Sequence, residues 1–289
     1  MHQSDILQRF IFARTDVRGG WVSLDASFQM VLRRHSYPAA VRVPLGEVLA
    51  GAALLSATIK FNGTLTLQLQ GDGPVHLLLA QCSSQRTLRG LARWHDDPAR
   101  WAERSGLGAG RLAITVDMGL GGERYQGVVA VEGGQLAAAL EGYFRHSEQL
   151  PTRLWLAADG TRAVGLLLQR LPGGGGDADA WERSVQLART ITHAELLAHP
   201  GTEVLRRLFH QEELRVFEPE PISFRCGCTR ERVAQVLTSL GREELGTLLR
   251  EQDQVGVDCE FCNHHYAFDA VDIEQLFAEA PATVSSQRH

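Results

Sequence analysis

Four of the five cysteines in this 289-residue chain fall into two tight pairs near its end. The first is Cys226-Gly-Cys228, and the second, after thirty further residues, is Cys259-Glu-Phe-Cys262. Thiolates are strong zinc ligands, and two close pairs brought together by a folded loop supply a tetrahedral set. Gly227 has no β-carbon and is therefore expected to bend the first pair until both sulfurs face one point. Two residues between Cys259 and Cys262 give the tight knuckle found in many zinc modules. A zinc ribbon usually carries C-x-x-C on both sides, with about fifteen to twenty residues between, so this spacing departs from that pattern. Two structural disulfides are the competing reading, and a reducing compartment favours metal over disulfide. Thiolates are also the species that oxidants attack. A structural zinc site and a redox switch would use the same four residues, and spacing leaves both open.

Other candidates for chemistry are weaker. His264 and His265 follow the second knuckle, but four cysteines already fill a tetrahedron. Cys82 ends an apolar strand and reads as a small buried residue rather than a nucleophile. The glycine-rich stretches Gly106 to Gly110 and Gly119 to Gly122 lack the strand-to-helix context of a phosphate-binding fingerprint and read as turns. No Ser/His/Asp pattern or carboxylate pair singles itself out, and an enzyme is not expected.

Composition narrows the classes. The chain is 44% hydrophobic and 22% charged, with a formal net charge of −5. Those values fit an ordinary globular protein with room for two domains. No uninterrupted apolar run reaches membrane-spanning length, since the richest, Val48 to Ile59, is short and holds Gly51 and Ser56. The opening Met-His-Gln-Ser-Asp has neither the basic region nor the apolar core of a secretory signal. The expectation is a cytoplasmic protein without nucleic-acid or membrane partners. Residues 222–280 sharpen this, because eleven acids against five arginines give a net −6 that repels a phosphate backbone. A zinc-ribbon nucleic-acid binder is disfavoured on that ground. A thiol–disulfide oxidoreductase working through Cys259 and Cys262 lacks a thioredoxin-like βαβ setting and leaves Cys226 and Cys228 unexplained.

The elements that must position the cysteines read as an α+β fold. Residues 1–172 form a mixed domain of antiparallel strands and helices. Arg9 to Arg14 and Trp21 to Leu24 are expected as strands flanking a turn at Gly19-Gly20. Asp25 can cap a helix carrying Phe28, Val31 and Leu32, ending near His35. Leu45 to Lys60 reads as a buried helix. The period then changes to two, with Leu65, Leu67 and Leu69 in one strand and Val75 to Ala80 in the next, joined by a turn at Gly71 to Pro74. Leu112 to Val116 pairs with Tyr125 to Val131, and Arg153 to Ala157 with Ala163 to Gln169 across Asp159-Gly160. Gln135 to Phe144 resembles a helix.

The run Leu171-Pro-Gly-Gly-Gly-Gly-Asp177 marks the clearest break in the chain. Residues 173–221 are expected to be a flexible glycine break followed by a helical linker. Trp181, Val185, Ala188 and Ile191 share one face. Thr192 and Glu195 fit a capping box, and Thr202 can cap a further helix bearing Val204, Leu205 and Leu208. These narrow apolar faces need a docking surface, and the first domain is the expected one. Residues 222–280 then form a small four-cysteine module. Thr229 caps a helix with Val233, Val236, Leu237 and Leu240, and Leu245, Leu248 and Leu249 line a second. Val255 to Phe268 reads as a hairpin holding the second knuckle, and Asp272 to Ala278 as a last helix. Residues 281–289 read as a loose tail. A module of ~60 residues barely stabilises itself by burial, so zinc and fold should form one equilibrium.

These residues together resemble the redox-regulated holdase chaperones of the 33 kDa heat-shock family, and the resemblance covers most of the chain. It is carried by Cys226-Gly-Cys228 with Cys259-Glu-Phe-Cys262-Asn-His-His-Tyr266-Ala-Phe268-Asp269, and by Gly142-Tyr-Phe-Arg-His-Ser-Glu-Gln-Leu-Pro-Thr152. Tyr125-Gln-Gly127 adds to it. The resemblance implies a cytoplasmic, ATP-independent chaperone that binds one zinc ion per chain through Cys226, Cys228, Cys259 and Cys262 when reduced and inactive. It further implies that oxidation forms Cys226–Cys228 and Cys259–Cys262 disulfides, releases zinc and unfolds the linker. The oxidised protein, as a homodimer, would hold unfolding client proteins until ATP-dependent chaperones refold them.

Overall fold

The structure is a computed structural model describing residues 5–103, 106–119, 122–173, 177 and 179–279. Loop residues 120–121, glycines 174–176 and the tail 281–289 lie outside the described residues. The fold is α+β, and the chain divides into two compact units, Met1–Arg225 and Cys226–His289.

The first unit opens with strands β1 (Ile6–Phe12) and β2 (Val17–Leu24), helix α1 (Ala26–Leu32) and the long helix α2 (Ala39–Thr58). A meander follows: β3 (Thr64–Gly71), β4 (Val75–Ser83), β5 (Thr87–Trp94), the short α3 (Pro98–Glu103), β6 (Gly110–Asp117) and β7 (Arg124–Val131). Helix α4 (Leu136–Tyr143) runs into a π-turn at Phe144–Glu148, then β8 (Thr152–Ala158) and β9 (Ala163–Arg170). Three helices come next, α5 (Ala180–Ala188), α6 (His193–Ala198) and α7 (Gly201–Leu208). Short strands β10 (Leu214–Val216), β11 (Glu220–Pro221) and β12 (Ser223–Phe224) close the unit. Two six-stranded sheets result. One runs β10-β1-β2-β9-β8 with β11 also on β1, and the other β12-β5-β4-β3-β6-β7. Only the β12–β5 pairing is parallel among the pairings described.

Helix α2 lies between the sheets and builds the main core from both. Val41, Leu45, Val48, Leu49 and Leu55 pack with Leu65, Leu67 and Leu69 of one sheet and Val22, Leu154 and Leu167 of the other. The helix starts at Ala39 rather than Leu45 and carries Pro44 inside its second turn, at the loss of one backbone hydrogen bond. At 20 residues α2 is long and apolar enough to cross a bilayer, yet most of it is buried inside the protein. Small residues allow this depth: a Cβ at Gly46 would stand 2.6 Å from the Ala158 Cβ and 2.9 Å from the Phe28 ring. Glu47 is the one carboxyl that α2 carries into this layer, and burial pushes its pKa up to about 7. A carboxyl with a raised folded pKa leaves stability intact below its unfolded value and lowers it as pH rises toward the folded value. Stability should therefore fall between about pH 4.5 and 7. Glu47→Gln should flatten that slope and raise stability at pH 8 by about 3 kcal/mol, read from urea unfolding at both pH values. An unchanged slope would show that Glu47 is solvated.

Several local expectations change. Gly19 and Gly20 do not turn the chain but sit inside β2, where Gly19 pairs with Phe10 and Gly20 with Arg9 of β1. A Cβ at Gly19 would overlap the Phe10 ring, so the glycine serves close packing rather than a bend. The turn is made at residues 13–16, with Arg14 at φ +61° and the Thr15 hydroxyl donating to the Phe12 carbonyl at 3.2 Å. Asp25 makes no side-chain cap on α1. Asp5 does that work from a distance, its carboxylate accepting the amides of Asp25, Ala26 and Ser27 at 3.2, 2.9 and 2.7 Å. Helix α7 begins at Gly201 after Pro200, not at a Thr202 cap, because Gly201 is pressed onto the Trp21 indole.

The linker helices form a second core on the opposite face of the first sheet. Trp181, Val185, Ala188, Leu196, Val204, Leu205 and Leu208 pack with Phe10, Phe12, Trp21, Leu166 and Leu168. Ile191 is half-buried against this cluster. The Thr192–Glu195 capping box is present, with Glu195 N–H donating to Thr192 Oγ1 at 3.2 Å and Thr192 N–H to Glu195 Oε2 at 2.9 Å. The return strands β10 and β11 add to β1, so the segment is fastened by backbone hydrogen bonds as well as apolar contact.

Candidate metal centre

The second unit is small. Helices α8 (Arg230–Leu240) and α9 (Arg242–Glu251) precede the hairpin β13 (Val255–Asp258) and β14 (His265–Phe268), and α10 (Ala270–Glu279) follows. Its buried apolar set is Leu237, Leu245, Val255, Phe268 and Ile273. Thr229 caps α8 by accepting the Arg232 amide at 3.3 Å. Asp269 and Asp272 exchange caps at the start of α10, at 3.1 and 2.8 Å. Arg230 ties the hairpin to α10, lying 4.1 Å over the Phe268 ring and donating to Asp272 at 2.7 Å. Val236 and Leu240, expected on the inner face of α8, are 62% and 46% exposed. The helix packs instead through Val233, Ala234 and Leu237, a face turned by one residue.

Four thiols meet at one end of this unit. Cys226 and Cys228 come from the segment before α8, and Cys259 and Cys262 from the turn between β13 and β14. The four Sγ atoms lie within 4.8 Å of one another. The closest pairs cross between the two motifs: Cys226 to Cys259 at 3.6 Å and Cys228 to Cys262 at 3.3 Å. Sulfurs at the corners of a tetrahedron with metal–sulfur bonds of ~2.3 Å stand roughly 3.8 Å apart, so the observed spacings bracket what one ion requires. None of the five cysteines forms a disulfide in this structure. Burial raises the Cys262 pKa, and hydrogen bonds with the other three thiols add to the rise, while the His264 amide opposes it. Four thiolates packed this closely repel one another, and a dication is the group that lets all four ionise.

The knuckle has its own supports. The Asn263 amide donates to the Cys259 carbonyl at 2.7 Å and the Cys259 amide to the His264 carbonyl at 2.9 Å. Asn263 takes φ +57°, a left-handed conformation that asparagine tolerates. Gly227 is not left-handed. Its role is to admit Arg232, whose Nη1 donates to the Gly227 carbonyl at 2.6 Å and would lie 3.0 Å from a Cβ there. Tyr266 is a participant that spacing did not reveal, its hydroxyl donating to Cys228 Sγ at 3.2 Å. That hydrogen bond is the leading reason its pKa rises to about 12. His264 packs edge-on to Tyr266 at 4.6 Å, and His265 bonds Asp258 at 2.7 Å, so both imidazoles have other work. Cys82 lies in the main core of the first unit, fully buried, with Sγ 3.4 Å from Ser56 Oγ. Burial pushes its pKa up, which makes it an unreactive thiol.

The Tyr125–Gly127 and Gly142–Thr152 stretches also have a structural logic. A Cβ at Gly127 would stand 2.6 Å from the Tyr143 ring, so the strand glycine makes room for that aromatic. The Tyr143 hydroxyl donates to Glu148 at 2.9 Å across the π-turn, and Gln149 at φ +56° ends it before Pro151.

Comparison with known proteins agrees with this architecture. The family model described as Hsp33 protein matches residues 5–269. A 33 kDa chaperonin of Nitrosococcus oceani is 53% identical over the full length of both chains. One of Azotobacter vinelandii is 51% identical over 96% of each. The crystal structure of the 33 kDa chaperonin of Thermotoga maritima superposes with a TM-score of 0.81 at 24% identity, covering 95% of this chain and 98% of that one, a likeness of fold. With two six-stranded sheets around α2, a four-thiol cluster and relatives alike from end to end, the chain belongs to the Hsp33 protein family.

Proposed function

We propose that this Hsp33-family chaperone is a redox-regulated, ATP-independent holdase, inactive while Cys226, Cys228, Cys259 and Cys262 hold one zinc ion. The observation that carries the proposal is the convergence of those four thiols within 4.8 Å in a unit whose buried apolar core, among the described residues, is five side chains. Zinc would supply a four-way crosslink worth on the order of 10 kcal/mol or more to such a unit. A two-electron oxidant acting on each thiol pair removes the ligands, and the unit then lacks its largest stabilising contribution. Membership of the family implies Cys226–Cys228 and Cys259–Cys262 disulfides, although the nearest thiols in the folded unit are the crossed pairs.

In this reading the chain works as three parts and a tail: a core of residues 1–172, the glycine break and linker of 173–221, the switch module of 222–280, and 281–289. Losing the module loosens the linker helices and exposes apolar surface to unfolding client proteins. The oxidised chain acts as a homodimer in the cytoplasm and passes its clients to ATP-dependent chaperones. Neither nucleic acid nor membrane is a partner, and the protein turns over no substrate.

An aggregation assay on a thermally unfolding client tests this, with zinc release followed in parallel. Reduced protein should leave aggregation unchanged, and oxidised protein should suppress it stoichiometrically as zinc is freed. Cys82→Ala should behave as wild type, since that thiol is buried in the core. Equal suppression by the reduced, metal-loaded chain would sink the switch, and catalytic turnover of a disulfide substrate would move the protein to the oxidoreductases.

A further inference from the structure

The Gly19–Gly20 pair borders a cavity of about 250 Å³ between the first sheet and the C-terminal end of α2. Leu54, Leu167, Leu171 and Phe217 give it apolar walls, and its charged lining residues are Arg9 and Arg18. A Cβ at Gly20 would meet Leu54 at 3.4 Å, so a side chain there would intrude on the space beneath α2. Arg18 is held by its own bonds: Nε and Nη2 donate to Gln169 Oε1 at 2.9 and 2.5 Å, and Nη2 also to the Thr58 carbonyl at 3.2 Å. Those bonds leave its Nη1 donors to other acceptors. Arg9 pairs with Glu220 at 2.8 Å, but Glu220 is shared with Arg86, also at 2.8 Å. The cavity lining thus carries two guanidiniums and no carboxylate, and the carboxylate that pairs with Arg9 is itself shared with Arg86. Burial lowers the Arg18 pKa, and the charge of Arg9, exposed at the rim, lowers it further, so the two cations lie close enough to interact.

We propose that this cavity binds a medium-chain monocarboxylate, its carboxylate set against Arg9 and Arg18 and its alkyl chain laid among Leu54, Leu167 and Phe217. The charge excess selects an anion, and guanidiniums suit a carboxylate because their planar donors match its two oxygens. The apolar walls select a hydrocarbon body. Size sets the length, because a volume just under the ~300–1,000 Å³ of ordinary ligand pockets takes a short single chain rather than a two-chain lipid. Phe217 lies between β10 and β11, where its amide donates to the Arg9 carbonyl at 2.9 Å and its carbonyl accepts from Gln8 Nε2 at 3.2 Å. An occupant therefore touches β1 and the end of the linker together, and by mass action it stabilises their pairing. The binding claim is independent of the reading of the cysteines.

Calorimetric titration of the reduced full chain with octanoate tests it, with octanol and butyrate as comparators. Octanoate should bind saturably at one site, at least tenfold more tightly than octanol, which lacks the charge, or butyrate, which lacks the chain. Arg9→Gln at the rim should weaken octanoate at least tenfold with an unchanged melting temperature, and Ala57→Phe should fill the space and abolish binding. Octanoate should also slow amide exchange at Phe217 in the wild type, a readout that needs no variant to fold. Equal binding of octanol, an unaffected Arg9→Gln, unchanged Phe217 exchange at saturation or the absence of saturable binding would each overturn the proposal. Displacement of octanoate by a peptide with a free carboxy terminus, but not by its amide, would reassign the cavity to polypeptide ends.

Discussion

Cys259→Ser is expected to cost the reduced protein its metal and to unfold residues 226–279, while residues 5–225 keep their wild-type melting temperature. The argument rests on how little else holds the second unit together. Among the described residues its buried apolar side chains are five, and its helix caps and the Arg230 contacts each contribute about 1 kcal/mol. Chains of this size sit near zero net stability from burial alone. A four-thiolate zinc site contributes ~10–16 kcal/mol in small modules, so it is the deciding quantity. Serine at 259 removes one ligand and leaves Cys226, its 3.6 Å neighbour, without its nearest partner. The first unit has two cores of its own, around α2 and beneath α5 to α7, and depends on none of these groups. Metal analysis should give close to one zinc per wild-type chain and little in the variant. Hydrogen exchange should show near-complete deuteration across 226–279 within the dead time. Full zinc occupancy in a Cys226→Ser/Cys259→Ser double variant would defeat the four-thiolate assignment.

The cysteine cluster was legible because its chemistry is written in residue type and spacing, and a thiolate tetrahedron has few alternatives. Strands with period-two leucines were legible for a similar reason: Leu65, Leu67 and Leu69 declare one buried face without reference to the rest of the chain. What sequence could not reveal is whatever depends on a partner far along the chain. Asp5 caps a helix twenty residues away, and nothing local distinguishes it from any other N-terminal acid. Gly19 and Gly20 look like a turn because glycine pairs usually are turns, but here the constraint is the Phe10 ring lying across the strand. Tyr266 reads as a hairpin aromatic, and only the fold brings its hydroxyl to Cys228. The register of α8 failed for a subtler reason. Val233, Val236, Leu237 and Leu240 fit one helical stripe, and a core of five residues is too small to cover all of it.

Val185→Asp with Leu205→Asp should release the linker helices from the first sheet without any oxidant. Both side chains are buried in the apolar cluster formed with Phe10, Phe12 and Trp21. Unpaired buried charges cost about 3–5 kcal/mol each, more than a short helix segment stabilised by one face can absorb. Helices α5, α6 and α7 have nine, six and eight residues, lengths at which isolated helices are not stable in water. Undocking therefore means unfolding, and the segment passes to an ensemble with exposed apolar side chains. A loss of even ~4 kcal/mol in local opening free energy raises amide exchange roughly a thousandfold. The increase should appear across residues 180–208 in the reduced, zinc-loaded double variant, while β3 to β6 stay protected. Partial suppression of client aggregation should accompany it, and exchange is the cleaner readout because the new charges also weaken apolar client contacts. Zinc content decides the interpretation. With metal bound and exchange across 180–208 as slow as in the wild type, docking of the linker would not be the latch.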